Sequence, residues 1–144
     1  MGWKTHSLKW LTNTSFLNTA LRDDGYMTAM EALCQKTQKN AKVLMIYERR
    51  GLYCPRNYEI GTPFFQAKIF TPLPKDKEEL LQTAQKDKID YILFGGSQHN
   101  PDYTKDDNQN AGKLIVMLAD LARSGKIHLI WRKNGYNLFQ LSIE

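Results

Sequence analysis

Five consecutive apolar residues with high β-propensity, at positions 43–47, constrain the fold of this chain more than any other feature. The run has no polar residue to face solvent, and it is far shorter than the roughly twenty residues of a membrane-spanning helix. Such a run is typical of a strand buried on both faces, which occurs where helices cover a mainly parallel sheet. We therefore predict an α/β fold with this strand inside the sheet.

Helical and strand patterns alternate along the rest of the chain. Tyr26, Met30 and Leu33 recur at helical spacing and predict an amphipathic helix over residues 25–38. Asp76 and Glu79 have the spacing of a capping box, which predicts where the next helix begins. The other predicted helices cover residues 76–86 and 109–124, and Gly125 is the expected terminator of the second of these. The other predicted strands cover residues 57–61, 90–94, 127–132 and 136–143. A polar loop is expected over residues 97–108.

This alternation predicts a three-layer, Rossmann-like α/β fold with helices on both faces of a mostly parallel sheet. We expect a strand order near 2-1-3-4-5, with an antiparallel strand at the edge. Asn134 and Gly135 between two β-prone runs predict a C-terminal β-hairpin. Residues 1–24 are expected to form an N-terminal helical arm, and residues 25–144 a single α/β domain, since the chain of 144 residues has the usual length of one domain.

Charge and hydropathy exclude several classes of protein. The net charge is +5, but the 20 basic residues are scattered without a block of like charges, which favours a solvated surface over a nucleic-acid footprint. The longest apolar-rich stretch, residues 114–122, contains Asp120 and is too short to span a membrane. The first residues have no apolar signal-peptide core. Any membrane anchor is therefore expected outside this sequence.

Cysteine and histidine spacing predicts no metal site. Cys34 and Cys54 flank the first strand, which would hold them roughly 15 Å apart, beyond the reach of a disulfide. We therefore expect two free thiols. The three histidines are isolated and no Cys-x-x-Cys pair occurs, so neither a metal nor a cofactor is predicted.

Charged and flexible residues follow the first and third predicted strands, where α/β sheets bind ligands. Arginine forks suit phosphate and carboxylate groups, and a glycine pair can form a backbone nest for an anion. The same residues also fit a structural turn in which Glu48 pairs with an arginine and the glycines end a strand. No nucleophile and base can be paired from these spacings, so no catalytic residue is predicted. The candidate ligand-binding residues are Glu48, Arg49, Arg50, Tyr53, Arg56, Gly95, Gly96, Ser97 and His99.

Residues 22–94 resemble the carboxyl-terminal soluble domain of polytopic membrane glycosyltransferases, a group that includes bacterial proteins similar to dolichyl-phosphate-mannose protein mannosyltransferases. The resemblance depends on the helix beginning near Tyr26, the strand and acidic-arginine-tyrosine turn over residues 40–56, and residues 88–94. In that family, catalysis depends on acidic residues in loops of the multi-spanning part. The resemblance therefore implies an extracytoplasmic module, on the periplasmic or outer side, without catalytic residues of its own.

Three functions are compatible with these observations. The first is a non-catalytic soluble domain of a membrane glycosyltransferase-like protein, which provides a scaffold or an acceptor-binding or ligand-binding surface. In this case the partner is the membrane-embedded part of the same protein, and the substrate is a glycan or a polyprenyl-phosphate-linked sugar. The second is a stand-alone cytoplasmic domain that binds a nucleotide or phosphosugar beyond the first and third strands. The third is a small enzyme with an unrecognised site. Membrane spans preceding residue 1 in the full reading frame would favour the first.

Overall fold

The computed structural model describes residues 25–46, 54–60, 73–95 and 105–142. Three helices and five strands occupy these ranges. The helices are α1 (Tyr26–Lys36), α2 (Lys77–Lys86) and α3 (Lys105–Arg123), and the strands are β1 (Lys42–Ile46), β2 (Asn57–Ile60), β3 (Tyr91–Phe94), β4 (Ile127–Lys133) and β5 (Tyr136–Leu141).

The five strands form one mixed sheet in the order β2-β1-β3-β5-β4. β1 pairs in parallel with β2 on one side and with β3 on the other, so its predicted position inside the sheet is confirmed. β5 is antiparallel to both β3 and β4. The predicted C-terminal hairpin is confirmed as well, and Asn134 and Gly135 at its turn both have positive φ, as a type I′ turn requires.

The predicted order of the last two strands is wrong, because β5 lies inside the sheet and β4 forms its edge. The sheet is therefore only partly parallel and not fully Rossmann-like. Burial explains the exchange. β5 has buried residues on both faces, whereas β4 exposes His128, Arg132 and Lys133, which could not be covered on both sides without losing hydration.

Helices cover both faces of the sheet and form three layers. On one face of the sheet, α1 packs against alternate strand residues and forms the α1-side cluster. On the other face, α2 and α3 pack against the intervening strand residues and form the α2/α3-side cluster. The buried α1-side cluster includes Tyr26, Met30, Leu33, Val43, Met45, Leu93 and Leu138. The buried α2/α3-side cluster includes Leu44, Ile46, Leu80, Ile92, Leu114, Leu118, Leu121 and Phe139. Burial of β1 on both faces is what its unbroken apolar run predicted.

α3 begins at Lys105, four residues earlier than predicted, and shortens the expected polar loop. Asp106 and Asp107 occupy its first turn in the sequence, where negative charge stabilises the amino terminus of a helix. Helix propensity and the helix dipole extend the element beyond its buried stripe.

α2 begins with the predicted capping box, with one difference. The Asp76 side chain accepts a hydrogen bond of 2.8 Å from the backbone N–H of Glu79. The Glu79 carboxylate accepts one of 3.0 Å from the backbone N–H of Lys75, one residue before the usual partner. Both bonds satisfy backbone donors at the start of the helix.

α2 ends in a Schellman motif with a lysine at the left-handed position. Lys88 has a φ of 58°, which costs a residue with a side chain more than it costs glycine. The Ile89 N–H donates to the Ala84 carbonyl (2.9 Å), and the Lys88 N–H donates to the Gln85 carbonyl (3.0 Å). The turn directs the chain into β3 and buries Ile89.

α3 ends in the same motif at the predicted terminator, Gly125, which has a φ of 77°. The Lys126 N–H donates to the Leu121 carbonyl (3.0 Å), and the Gly125 N–H donates to the Ala122 carbonyl (3.1 Å). A Cβ added at Gly125 would meet no atom within 4 Å. Backbone conformation alone therefore favours glycine there.

The residues with positive φ in these two turns predict opposite changes in stability. Introducing glycine should stabilise the first turn, and removing glycine should destabilise the second. Lys88→Gly removes the strain of a positive φ, and we expect the free energy of unfolding to rise by about 0.5–1 kcal/mol. Gly125→Ala introduces that strain and should lower it by about 1 kcal/mol. Urea unfolding followed by circular dichroism measures both. Lys86→Gly, within α2, is the control and should be destabilising. A Lys88→Gly variant no more stable than the unsubstituted chain would contradict this account.

Candidate functional site

The carboxyl ends of β1 and β3 lie side by side at one edge of the sheet, which we call the carboxyl edge. Ile46 pairs with Phe94, and the Gly95 N–H donates to the Ile46 carbonyl at 2.7 Å. From this point the chain after β1 leads to β2 on one side, and the chain after β3 leads through α3 to β4 on the other. Connections that diverge in this way form a topological switch point, where α/β sheets bind ligands.

Gly95 is buried and its N–H already belongs to the sheet ladder. It therefore marks the carboxyl edge but has no free N–H to donate to an anion. The ligand-binding role of seven other candidates stays a prediction. These candidates, which lie outside the described residues, are Glu48, Arg49, Arg50, Tyr53, Gly96, Ser97 and His99.

Arg56 lies at the opposite edge of the sheet, which we call the amino edge. It immediately precedes Asn57, which pairs with Lys42, the first residue of β1. Four residue steps along β1 separate this position from Ile46, about 13 Å. The structure thus does not bring Arg56 and Gly95 together. Because β2 is parallel to β1, the chain must return to the start of β1 before β2 begins, and Arg56 falls at the end of that return.

The Arg56 guanidinium holds the carboxyl end of α1. Its Nη2 donates to the carbonyls of Cys34 (3.1 Å) and Thr37 (3.0 Å), and its Nε donates to Thr37 Oγ1 (2.9 Å). Its Nη1 donates to the Pro55 carbonyl (2.8 Å). The Thr37 hydroxyl in turn donates to the Leu33 carbonyl. A cation at the carboxyl end of a helix satisfies carbonyls that lack partners and opposes the negative end of the helix dipole.

The return of the chain also changes the position of Cys54. Its side chain packs against the α1-side cluster, which contains Leu33, next to Cys34 in sequence. Both thiols are free, but our reason for expecting this is wrong, because Cys54 does not lie beyond the far end of β1. Burial raises the pKa of the Cys54 thiol, while the N–H and the charge of Arg56 act in the opposite direction. Its predominant form at neutral pH is the less nucleophilic thiol.

Lys42 is the centre of a polar network at the amino edge. Its Nζ lies 2.9 Å from Glu59 Oε1 and 3.1 Å from Asp87 Oδ2, and it donates to the Asp87 carbonyl at 3.0 Å. Its backbone N–H donates to Asp90 Oδ2 at 2.9 Å. The bond to Glu59, followed by the contacts with Asp87, raises the pKa of Lys42 against the lowering effect of burial. The network connects β1, β2 and the turn after α2.

We did not predict this network, and no local pattern identifies it. Lys42, Glu59 and Asp87 are far apart in sequence, and each has the appearance of an ordinary surface charge. Only the parallel pairing of Lys42 with Asn57 brings Glu59 beside β1. The side chains of Lys42 and Glu59 are 30% and 27% exposed, so solvent weakens their attraction. Because the charged groups at the amino edge contact one another and a backbone carbonyl, we assign this edge a structural role.

His128 is exposed on β4. Its Nε2 lies 3.0 Å from Ser142 Oγ, which donates to the Gly125 carbonyl at 2.9 Å. The proton of the Ser142 hydroxyl is therefore used in the hydrogen bond to the Gly125 carbonyl. Within the four described ranges, no three His, Cys, Asp or Glu side chains form a group that could hold a metal ion. In the same ranges, no helix has the length and apolarity needed to cross a membrane.

The fold is similar to that of a solved domain. The crystal structure of the C-terminal globular domain of an oligosaccharyltransferase from Archaeoglobus fulgidus superposes with a TM-score of 0.54 and 15% sequence identity. The match covers 81% of this chain and 96% of that domain. No protein-family model and no curated protein matches the sequence. At this level of identity, the similarity shows a shared fold.

The Lys42 network predicts a pH-dependent contribution to stability. Lys42→Met removes the cation from its two carboxylates and should lower the free energy of unfolding at pH 7 by about 1 kcal/mol. The folded-state pKa is raised, so this contribution is complete below the unfolded pKa of about 10.4 and is lost as pH rises through the folded value. Urea unfolding at pH 7, 9 and 11 measures the difference.

Lys39→Met, at an exposed position, is the matched control for this experiment. We expect it to have little effect at any of the three pH values. The proposed role of Lys42 is refuted if the destabilisation by Lys42→Met is as large at pH 11 as at pH 7, since deprotonation removes the charge that the network requires.

The contacts of Arg56 predict a structural role that lysine cannot supply. Arg56→Lys keeps the charge but loses the planar fork that reaches Cys34, Thr37 and Pro55 at once. We expect a loss of about 1–2 kcal/mol in the free energy of unfolding and faster amide exchange in the last turn of α1. Arg132→Lys, on the exposed edge of β4, is the control. Unchanged stability and exchange in the Arg56→Lys variant would refute the capping role.

Proposed function

We propose that this chain is a non-catalytic domain of a membrane glycosyltransferase and provides a scaffold or a binding surface for an acceptor. The observation that carries the proposal is the similarity in fold to the C-terminal globular domain of an oligosaccharyltransferase, which extends over 96% of that domain. Residues 22–94 also resemble, in their sequence motifs, the soluble domains of mannosyltransferase-like membrane proteins. This resemblance supports the same class of parent protein, a membrane glycosyltransferase.

We place the chemistry of the parent protein outside this domain. Several carboxylates in the described ranges already serve the fold: Glu59 and Asp87 hold Lys42, and Asp76 and Glu79 cap α2. The resemblance assigns catalysis to acidic residues in loops of a multi-spanning part. The partner of this domain is then that membrane-embedded part, and the parent uses a polyprenyl-phosphate-linked sugar. The domain lies on the extracytoplasmic face of the membrane.

The carboxyl edge is the best candidate for an acceptor or glycan contact. It is the switch point between β1 and β3, where Gly95 pairs with the end of β1. In the sequence, Glu48 follows Ile46 by two residues and Gly96 directly follows Gly95. Arg56 is not included in this contact site, because its guanidinium holds α1 at the amino edge. A scaffold role would require no ligand at the carboxyl edge.

The same switch point favours a second candidate function, a stand-alone cytoplasmic domain that binds a nucleotide or phosphosugar. Sheets with a switch point between their first and third strands bind nucleotides at this position in other α/β proteins. Titration calorimetry with nucleotides and sugar phosphates discriminates between the two functions. Saturable binding that Arg49→Ala abolishes and Arg56→Ala does not would favour this second function.

Size and membrane association of the native protein test the proposal. An antibody raised against the 144-residue chain should detect, in the source cells, a polypeptide well above 16.7 kDa that sediments with membranes and requires detergent for release. The purified chain should transfer no sugar from a polyprenyl-phosphate donor, whereas the full-length protein in detergent should. A soluble band near 16.7 kDa, or sugar transfer by the purified chain, would overturn the proposal.

A further inference from the structure

β4 is an edge strand of seven residues with a free side. It follows β5 at the end of the strand order, and in the described ranges no further strand pairs with it. Within the described ranges, contacts with α1 and α3 cover parts of its two faces and leave its edge open. Leu129 near its middle is 47% exposed, one of three large apolar side chains in these ranges that remain so accessible.

Backbone groups of β4 point toward the open side in a regular pattern. The Ser142 N–H donates to the Lys126 carbonyl, so Lys126 and Ser142 form a hydrogen-bonded pair. Because such pairs alternate along antiparallel strands, the N–H and C=O groups of Ile127 and Leu129 point away from β5. An added strand would find donors and acceptors in register along this part of β4.

The hairpin that carries this edge has no acidic residue. Between Gly125 and Ser142 the sequence contains two lysines, one arginine and one histidine, but neither aspartate nor glutamate. Arg132 and Lys133 are exposed, and no carboxylate in the described part of the chain forms an ion pair with them. A ligand with carboxylates beside this strand would gain cross-strand charge pairs.

These features disfavour pairing with a second copy of this chain. Antiparallel pairing of β4 with a second β4 would bring no carboxylate beside Arg132 or Lys133 of either copy, so these charges would gain no cross-strand partner. The charges thus disfavour copies of this edge and favour a strand of opposite charge.

The placement of the side chains also disfavours a lipid surface. Trp131 pairs with Leu138 of the α1-side cluster, so the next residue, Arg132, lies on the α2/α3 face and Lys133 on the α1 face. Leu129 pairs with Phe139 on the α2/α3 face. A flat bilayer touching one face would miss the cation on the other, whereas a strand beside the edge reaches both.

We propose that the open edge of β4 binds an extended acidic segment of a partner protein by strand addition. Backbone hydrogen bonds to Ile127 and Leu129 provide the register, an apolar residue covers Leu129, and carboxylates lie opposite Arg132 and Lys133. This surface is distinct from the carboxyl edge and does not depend on the function proposed above.

A labelled peptide tests the proposal. It has about eight residues, with valine for the position opposite Leu129 and glutamates on both faces opposite Arg132 and Lys133. Fluorescence anisotropy should show saturable binding to the chain. Arg132→Glu/Lys133→Glu should weaken this binding about tenfold or more, because it replaces attraction by repulsion. The same peptide, N-methylated at the alternate residues facing β4, should also bind about tenfold more weakly, because its backbone donors are blocked.

Matched controls separate strand addition from general attraction. Lys39→Glu/Lys113→Glu changes the net charge equally at exposed positions outside the hairpin and should bind the peptide normally. Equal binding of the N-methylated peptide, or equal weakening by the control variant, would overturn the proposal. So would binding to phosphatidylglycerol vesicles that competes with the peptide, or a dimer of the unsubstituted chain that the charge reversal dissociates. The N-methylated peptide keeps the test decisive even where a variant fails to fold.

Discussion

β1 is hydrogen-bonded in parallel to strands on both of its sides, and the arrangement of the other elements depends on this pairing. A parallel neighbour that follows β1 in sequence can begin only after the chain has returned to the start of β1. The return brings Cys54 and Arg56 to the amino edge, where Arg56 holds the carboxyl end of α1. It also places Glu59 beside Lys42. One constraint on strand direction thus determines the contents of the amino edge.

The two ends of the parallel strands consequently differ in chemical character. At the amino edge, guanidinium, ammonium and carboxylate groups contact one another or backbone carbonyls. At the carboxyl edge, β1 and β3 end together and their connections diverge. A contact surface can vary at the carboxyl edge without disturbing the ion pairs that stabilise the sheet. This separation is consistent with the proposed role as a domain of a larger protein.

The C-terminal hairpin gives the sheet a positively charged edge strand at the end opposite β2. β5 has buried apolar residues on both faces and takes the inner position, which leaves the cationic β4 at the edge. Antiparallel entry of β5 ends the parallel part of the sheet, so the similarity to Rossmann-like sheets extends only from β2 to β3. In the part of the chain that the structure describes, no strand pairs with the outer side of β4, and the positive charge there discourages self-association of edge strands.

Local patterns were sufficient to predict most elements and several of their ends. The apolar run at 43–47 predicted a strand buried on both faces, Asp76 and Glu79 predicted the start of α2, and Gly125 predicted the end of α3. Each of these features depends on neighbours within a few residues, because burial periodicity, capping and positive φ are local properties. Asn134 and Gly135 predicted the hairpin for the same reason.

Tertiary structure alone decided which residues share an edge. Arg56 was grouped with Glu48 and Gly95 because it is near Glu48 in sequence, yet strand direction carries it to the other end of β1. Lys42, Glu59 and Asp87 form their network only through pairing between distant segments. The order of β4 and β5 depends on which of the two strands can be buried on both faces. The sequence pattern of either strand alone does not contain this comparison. Sequence periodicity determines the faces of each element, whereas the packing of whole elements determines which of their ends meet.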